Sequence, residues 1–168
     1  MLAGLTWSIL FTFGPVYARR AGFDAQGIGL LMGLAMAAGG IAQFPLGWLS
    51  DVASRRAVIA VMFGAGLVVS LFGIWSAELG MWPNLIAAAV TGGCVFPIYA
   101  VSVAHVNDAI TAKVRVAASA ALVLLFGVGS ILGPLLCGVA MGLFGLTGFF
   151  ALLALAMLVG CGLSAAYA

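Results

Sequence analysis

The sequence predicts an all-α membrane protein of six transmembrane helices, and three observations carry that prediction. Of 168 residues, 65% are hydrophobic and 6% charged, with a mean hydropathy of +1.31; a water-soluble domain carries about 25% charged residues to build its polar shell. The six basic and four acidic residues fall in short clusters. The uncharged stretches between them are each close to the ~20 residues that a helix needs to cross a bilayer. Those stretches are continuously apolar rather than alternating, which argues against a β-barrel. The helix remains as the spanning form that satisfies every backbone group internally.

The first span covers residues 2–18 and ends before Arg19, Arg20 and Asp24. Its basic pair follows the apolar stretch and no basic leader precedes it, the reverse of a secretory signal, so it reads as an ordinary span. Its start directly after Met1 raises the expectation of a domain cut from a longer chain, or of a start codon set just before a span. The second span covers 25–50, ahead of Asp51, Arg55 and Arg56, and the third covers 57–77, ahead of Glu78. The fourth covers 84–107, with Asp108 at its end and Lys113 and Arg115 beyond. The remaining uncharged run, 116–168, is far too long for one span. Phe144-Gly145-Leu146-Thr147-Gly148 supplies turn chemistry and divides it into a fifth span over 116–143 and a sixth over 149–168.

Charge and cysteine usage exclude several classes. A net charge of +2, confined to loops, suits no nucleic acid. Cys94, Cys137 and Cys161 lie inside apolar runs, an odd count with no metal-ligand spacing, and read as small apolar fillers. No metal or other cofactor is expected. Arg55, Arg56, Lys113 and Arg115 share one side of the membrane against Arg19 and Arg20 on the other. That bias places both termini in the cytoplasm of a multi-pass protein of the cell (plasma or inner) membrane.

The loop after the second span reads Gly47-Trp48-Leu49-Ser50-Asp51-Val52-Ala53-Ser54-Arg55-Arg56. Gly47 suits close helix packing, Asp51 suits the positive N-terminus of a neighbouring helix, and the paired arginines stay on the wet side. This loop resembles the cytoplasmic signature of the major facilitator superfamily, G-x-L-[SA]-D-[RK]-x-G-[RK]-[RK]. Gly47, Leu49, Ser50, Asp51, Arg55 and Arg56 match; Val52 stands where a basic residue is usual and Ser54 where glycine is usual. The resemblance implies half of a major facilitator bundle and a conformational-switch loop that latches the two halves in one state. A basic residue missing at Val52 implies one ion-pair partner fewer. The alternative is a positive-inside topology anchor with no switching role.

In the fifth span, Gly129, Gly133, Pro134 and Gly138 resemble the superfamily's glycine-proline signature G-x-x-x-G-P-x-x-G-G, with Cys137 in place of one glycine. Physically, Gly129 and Gly133 form a close-approach face and Pro134 permits a bend, so tight packing and a hinge are both open. The fourth span gathers Pro97, Tyr99, Ser102, His105, Asn107 and Asp108. Polar groups in spans mark pathways by default. Helical spacing puts Ser102 and His105 on one face, with Tyr99 near it and Asp108 one turn on. His105 with Asp108 can relay protons; alternatively both sit at the mouth and bond to loop arginines. The run from Pro97 to Asp108, with Ala117-Ala118-Ser119, also resembles the C-terminal half of one bacterial branch of the superfamily.

Trp7 and Gln43 complete the candidate substrate pathway: the resemblance implies that the first and fourth helices of each half line the cavity, and Gln43, in the second span, is an amide that faces protein rather than lipid when buried. Tyr17, Trp48, Trp75 and Trp82 read as interface anchors near span ends. No paired carboxylates, nucleophile motif or phosphate-binding loop marks an enzyme. The expectation is a secondary active transporter for an unknown small solute, possessing one six-helix half. Its partners are the lipid bilayer and a second half: its own missing N-terminal half, a separate chain or a second copy. A non-transporting six-helix subunit or a truncated gene product is the alternative. With no Arg or Lys at midspan, a neutral, amphipathic or cationic solute fits better than an anion.

Overall fold

A computed structural model describes residues 1–77 and 79–166; Glu78 and the last two residues of the expected sixth span lie outside the described residues. The elements are α1 (Leu2–Ser8), a π-helical turn (Ile9–Phe13), α2 (Gly14–Arg20), α3 (Ala25–Val52), α4 (Arg55–Ser76) and α5 (Met81–Ala109), followed by a 3-10 turn (Ala112–Val114), α6 (Arg115–Phe144) and α7 (Thr147–Ala166). Five helices are long and apolar enough to cross a membrane: α3, α4, α5, α6 with the 3-10 turn that leads into it, and α7.

The first expected span differs from the others because α1, the π turn and α2 run on from one another without a loop. Pro15 supplies a reason for the widened turn. It lacks an N–H, and in a regular helix its ring would press on the carbonyl of Phe11; widening the ladder over Ile9–Phe13 relieves that collision. Pro45, Pro97 and Pro134 leave α3, α5 and α6 unbroken.

Local chemistry sets the helix ends. Asp24 caps α3, its carboxylate accepting the Gly27 N–H at 2.8 Å, and Ser54 caps α4 through the Ala57 N–H at 3.2 Å. Gly145 takes a φ of +63°, in the left-handed region that glycine tolerates, and ends α6 within the expected turn. Thr147 then donates its hydroxyl to the Phe144 carbonyl at 2.8 Å.

Among the five long helices α5 is the most buried, lying against α3 on one side and α4 on the other, while α4 packs on α7 and α1 on α6. Small residues permit these approaches. A Cβ on Gly129 would collide with the Met1 carbonyl oxygen, and one on Gly133 with Ser8 Oγ and the Leu5 carbonyl, so only glycine lets α6 lie this close to α1. Ser130 adds a bond, donating to the Gly4 carbonyl at 3.3 Å. One core collects Leu10, Tyr17, Leu31, Phe149, Phe150 and Leu153, and a second collects Met62, Phe63, Val95, Ile98 and Met157. α3 and α6 instead expose rows of large apolar side chains, Phe44 at 83% and Val116 at 83% among them.

Candidate functional site

At the α3–α4 loop the chain turns over two residues, Ala53 and Ser54, which puts Arg55 in the first turn of α4 directly beside the end of α3. Arg55 Nη2 lies 3.1 Å from Asp51 Oδ1, and Arg55 Nε donates to Asp108 Oδ2 at 2.5 Å. Arg55 Nη1 also donates to Ser50 Oγ at 3.3 Å, and that hydroxyl in turn donates to the Gly47 carbonyl at 2.7 Å. Both carboxylates are largely exposed (66% and 62%), while the arginine side chain is 22% exposed. One guanidinium therefore ties the end of α3 to the end of α5, with Arg55 and Asp108 53 residues apart in sequence.

Gly47, Ser50, Asp51 and Arg55 of the expected loop converge with Asp108 of the fourth-span cluster. Leu49 is 37% exposed, and Arg56 turns to a separate groove with His105. A Cβ on Gly47 would meet nothing within 4 Å, so the close packing expected of this glycine is not made inside the chain. The physical reason is that this stretch of α3 lies at the surface, with Trp48 and Val52 more than 60% exposed beside it.

Asp108 and His105 diverge. Asp108 pairs with Arg55, whereas His105 lines a cavity of about 620 Å³ with Arg56 and Ser164, and no hydrogen bond joins the two among the described residues. Tyr99 sits edge-on to Phe126 with centroids 4.8 Å apart, and Trp7 stacks on Phe11 at 4.2 Å and leans on Phe126 at 6.0 Å. Tyr99 and Ser102 share a cavity of about 310 Å³ with Phe63 and Leu163. Gln43 is exposed on α3 and lines a smaller cavity of about 190 Å³ with Pro97, Asp51 and Arg55. Gly129 and Gly133 are packing positions against α1. Pro134 is half-buried, and Gly138 faces only the edge of Phe13, whose ring a Cβ at that position would meet at 3.4 Å. No cluster of three or more His, Cys, Asp or Glu side chains forms among the described residues.

Two residues at the opposite end carry more structure than their sequence positions announce. Tyr17 is 1% exposed rather than an interface anchor. Its hydroxyl donates to Asn84 Oδ1, and its ring stacks on Phe149 at 4.8 Å and meets Phe150 edge-on at 5.2 Å. Asn84 Nδ2 reaches the carbonyls of Ser76, Ala77 and Gly80 at 3.3, 3.4 and 2.8 Å. The available signal was Asn84 itself, an amide at the head of an apolar run that needs partners once buried. Trp48, Trp75 and Trp82 are 67–69% exposed at helix ends, as belt residues are.

The model of the Major Facilitator Superfamily matches residues 1–168, the full length of the chain. The chain belongs to the Major Facilitator Superfamily. It is a multi-pass membrane protein of a transporter family. Among curated proteins it is similar to an uncharacterized MFS-type transporter of Enterobacter sp. strain 638, 29% identical over 134 residues, which cover 80% of this chain and 34% of that protein. It is likewise 28% identical, with the same coverage, to the uncharacterized MFS-type transporters YcaD of Salmonella arizonae and Salmonella newport. The chain thus spans about a third of the length of the curated relatives it matches. No solved structure matches it.

Proposed function

We propose that this chain supplies one six-helix half, read as the C-terminal half, of a secondary active transporter that moves a small solute by alternating access. In this reading Leu2–Arg20 crosses the cell membrane as the first of six spans despite its π turn, and both termini face the cytoplasm. The observation that carries the proposal is Arg55 held between two exposed carboxylates on different helices. A surface ion pair contributes on the order of 0–1 kcal/mol, so this link is cheap to break and its members can exchange for groups on a second half. The exposed Gln43 supports the same conclusion, since a bare amide in the middle of α3 is costly against lipid and suits a face covered by protein or lining an aqueous path. Trp7, Tyr99 and Ser102 are the residues we assign to the solute path, which in such transporters lies near the midplane between halves.

The test labels one position from both sides of the membrane. Ser102→Cys is placed in a chain whose Cys94, Cys137 and Cys161 are replaced by alanine, and a membrane-impermeant maleimide is applied from either face. Alternating access predicts labelling from both faces, with Asp51→Asn shifting the ratio severalfold. Labelling from a single face, unchanged by Asp51→Asn, would support a non-transporting subunit instead. Proton coupling through His105 or Asp108 belongs to the same proposal; pH-dependent uptake that is unaltered in His105→Gln removes His105 from it.

A further inference from the structure

The groove beside Arg56 adjoins the Arg55 link, but its chemistry is distinct. It lies where α4 begins and where α5 and α7 end, lined by Ser54, Arg55, Arg56, Ala57, Ala60, His105 and Ser164. Its volume of about 620 Å³ falls within the roughly 300–1,000 Å³ range of small-ligand sites. The two arginines of this turn are in opposite electrostatic situations. Arg55 is neutralised by Asp51 and Asp108, while among the described residues Arg56 has no carboxylate within salt-bridge distance. Among the described residues, no acidic side chain lines the groove. Its polar wall therefore offers one uncompensated guanidinium, an imidazole and two hydroxyls.

We propose that this groove binds the phosphate headgroup of an anionic phospholipid. A guanidinium and an imidazole N–H both donate to phosphate oxygens, and a guanidinium matches them bidentately. Depth decides between a lipid and a free phosphate. The groove opens at the ends of membrane-crossing helices, the level of the lipid phosphates, and basic pockets between such helices are suited to anionic headgroups. Ala57 and Ala60 continue its wall toward the apolar body of α4 with side chains small enough to leave room for an acyl chain. A free phosphate would have no use for that apolar extension. The inference requires only that the chain spans a membrane, so it stands or falls separately from the transport reading.

The experiment uses the full chain, with any partner it co-purifies with, reconstituted in phosphatidylcholine vesicles that carry spin-labelled phosphatidylglycerol or spin-labelled phosphatidylcholine. The expected result is a motionally restricted phosphatidylglycerol population in excess over phosphatidylcholine. Arg56→Gln should lower that preference about fivefold, the equivalent of about 1 kcal/mol for one basic residue near the surface. Arg56→Lys should keep most of it, and Ala60→Leu should lower it with every charge retained, by filling the apolar extension. The Ala60 variant decides the matter if Arg56→Gln does not accumulate. An unchanged preference in both Arg56→Gln and Ala60→Leu overturns the proposal. So does a preference abolished by millimolar inorganic phosphate at constant ionic strength, which would assign the groove to free phosphate.

Discussion

The two ends of the helix bundle hold their helices together by opposite means. At one end, a single guanidinium joins α3, α4 and α5 through Asp51 and Asp108, both of them more than 60% exposed. At the other, Tyr17 and Asn84 join α2, the α4–α5 connection and α5 through neutral hydrogen bonds, and both residues are 1% exposed. Water competes for the first set and is excluded from the second. An exposed pair gains little because its groups are nearly as well solvated apart, while a buried amide that loses its partners bears the full cost of desolvation. The difference teaches where the bundle can give. The links at the Arg55 end cost little to break, whereas those at the Tyr17 end are expensive to open.

That contrast is open to direct attack, and the largest effect is expected at the buried end. Asn84→Ala strips Tyr17 of its acceptor and three carbonyls of a donor, and should cost about 3 kcal/mol. Equilibrium unfolding in mixed micelles of dodecyl maltoside and SDS, followed by tryptophan fluorescence, reads this directly. Tyr17→Phe keeps the ring stacked on Phe149 and removes only the hydroxyl, so a loss of about 1 kcal/mol is expected in the same assay. Arg55→Gln should cost least, below about 1 kcal/mol, with the wild-type contribution fading as salt is raised. Its visible consequence belongs in the two-sided labelling of Ser102→Cys rather than in stability. If Arg55→Gln proved as destabilising as Asn84→Ala, the assignment of one weakly and one strongly linked end would be wrong.

Much of the architecture was legible from the chain. Charge clusters mark the loops because an ionised side chain is costly inside the bilayer, and Gly145 marks the α6–α7 turn because it accepts a positive φ. The loop signature was legible for a related reason: exposed residues at a helix junction leave their pattern in consecutive positions. The π turn was not legible, since Pro15 announces a disturbed helix but leaves open whether the chain kinks, breaks or widens. Nor was the burial of Tyr17. Near a span end an aromatic with a hydroxyl suits an interfacial belt and a buried hydrogen bond equally, and the choice rests on Asn84, 67 residues away.

By itself, then, the sequence determined the solvent, the helical class and the family, because these depend on composition and on residues that are neighbours along the chain. Tertiary structure alone decided which of two adjacent arginines is neutralised, and that His105 parts from Asp108 although one helical turn separates them. Those outcomes depend on which side chains of distant helices meet at the bundle's end. A 3.6-residue period sends Arg55 and Arg56 about 100° apart around α4, so Arg55 finds two carboxylates and Arg56 faces a groove that, among the described residues, has none.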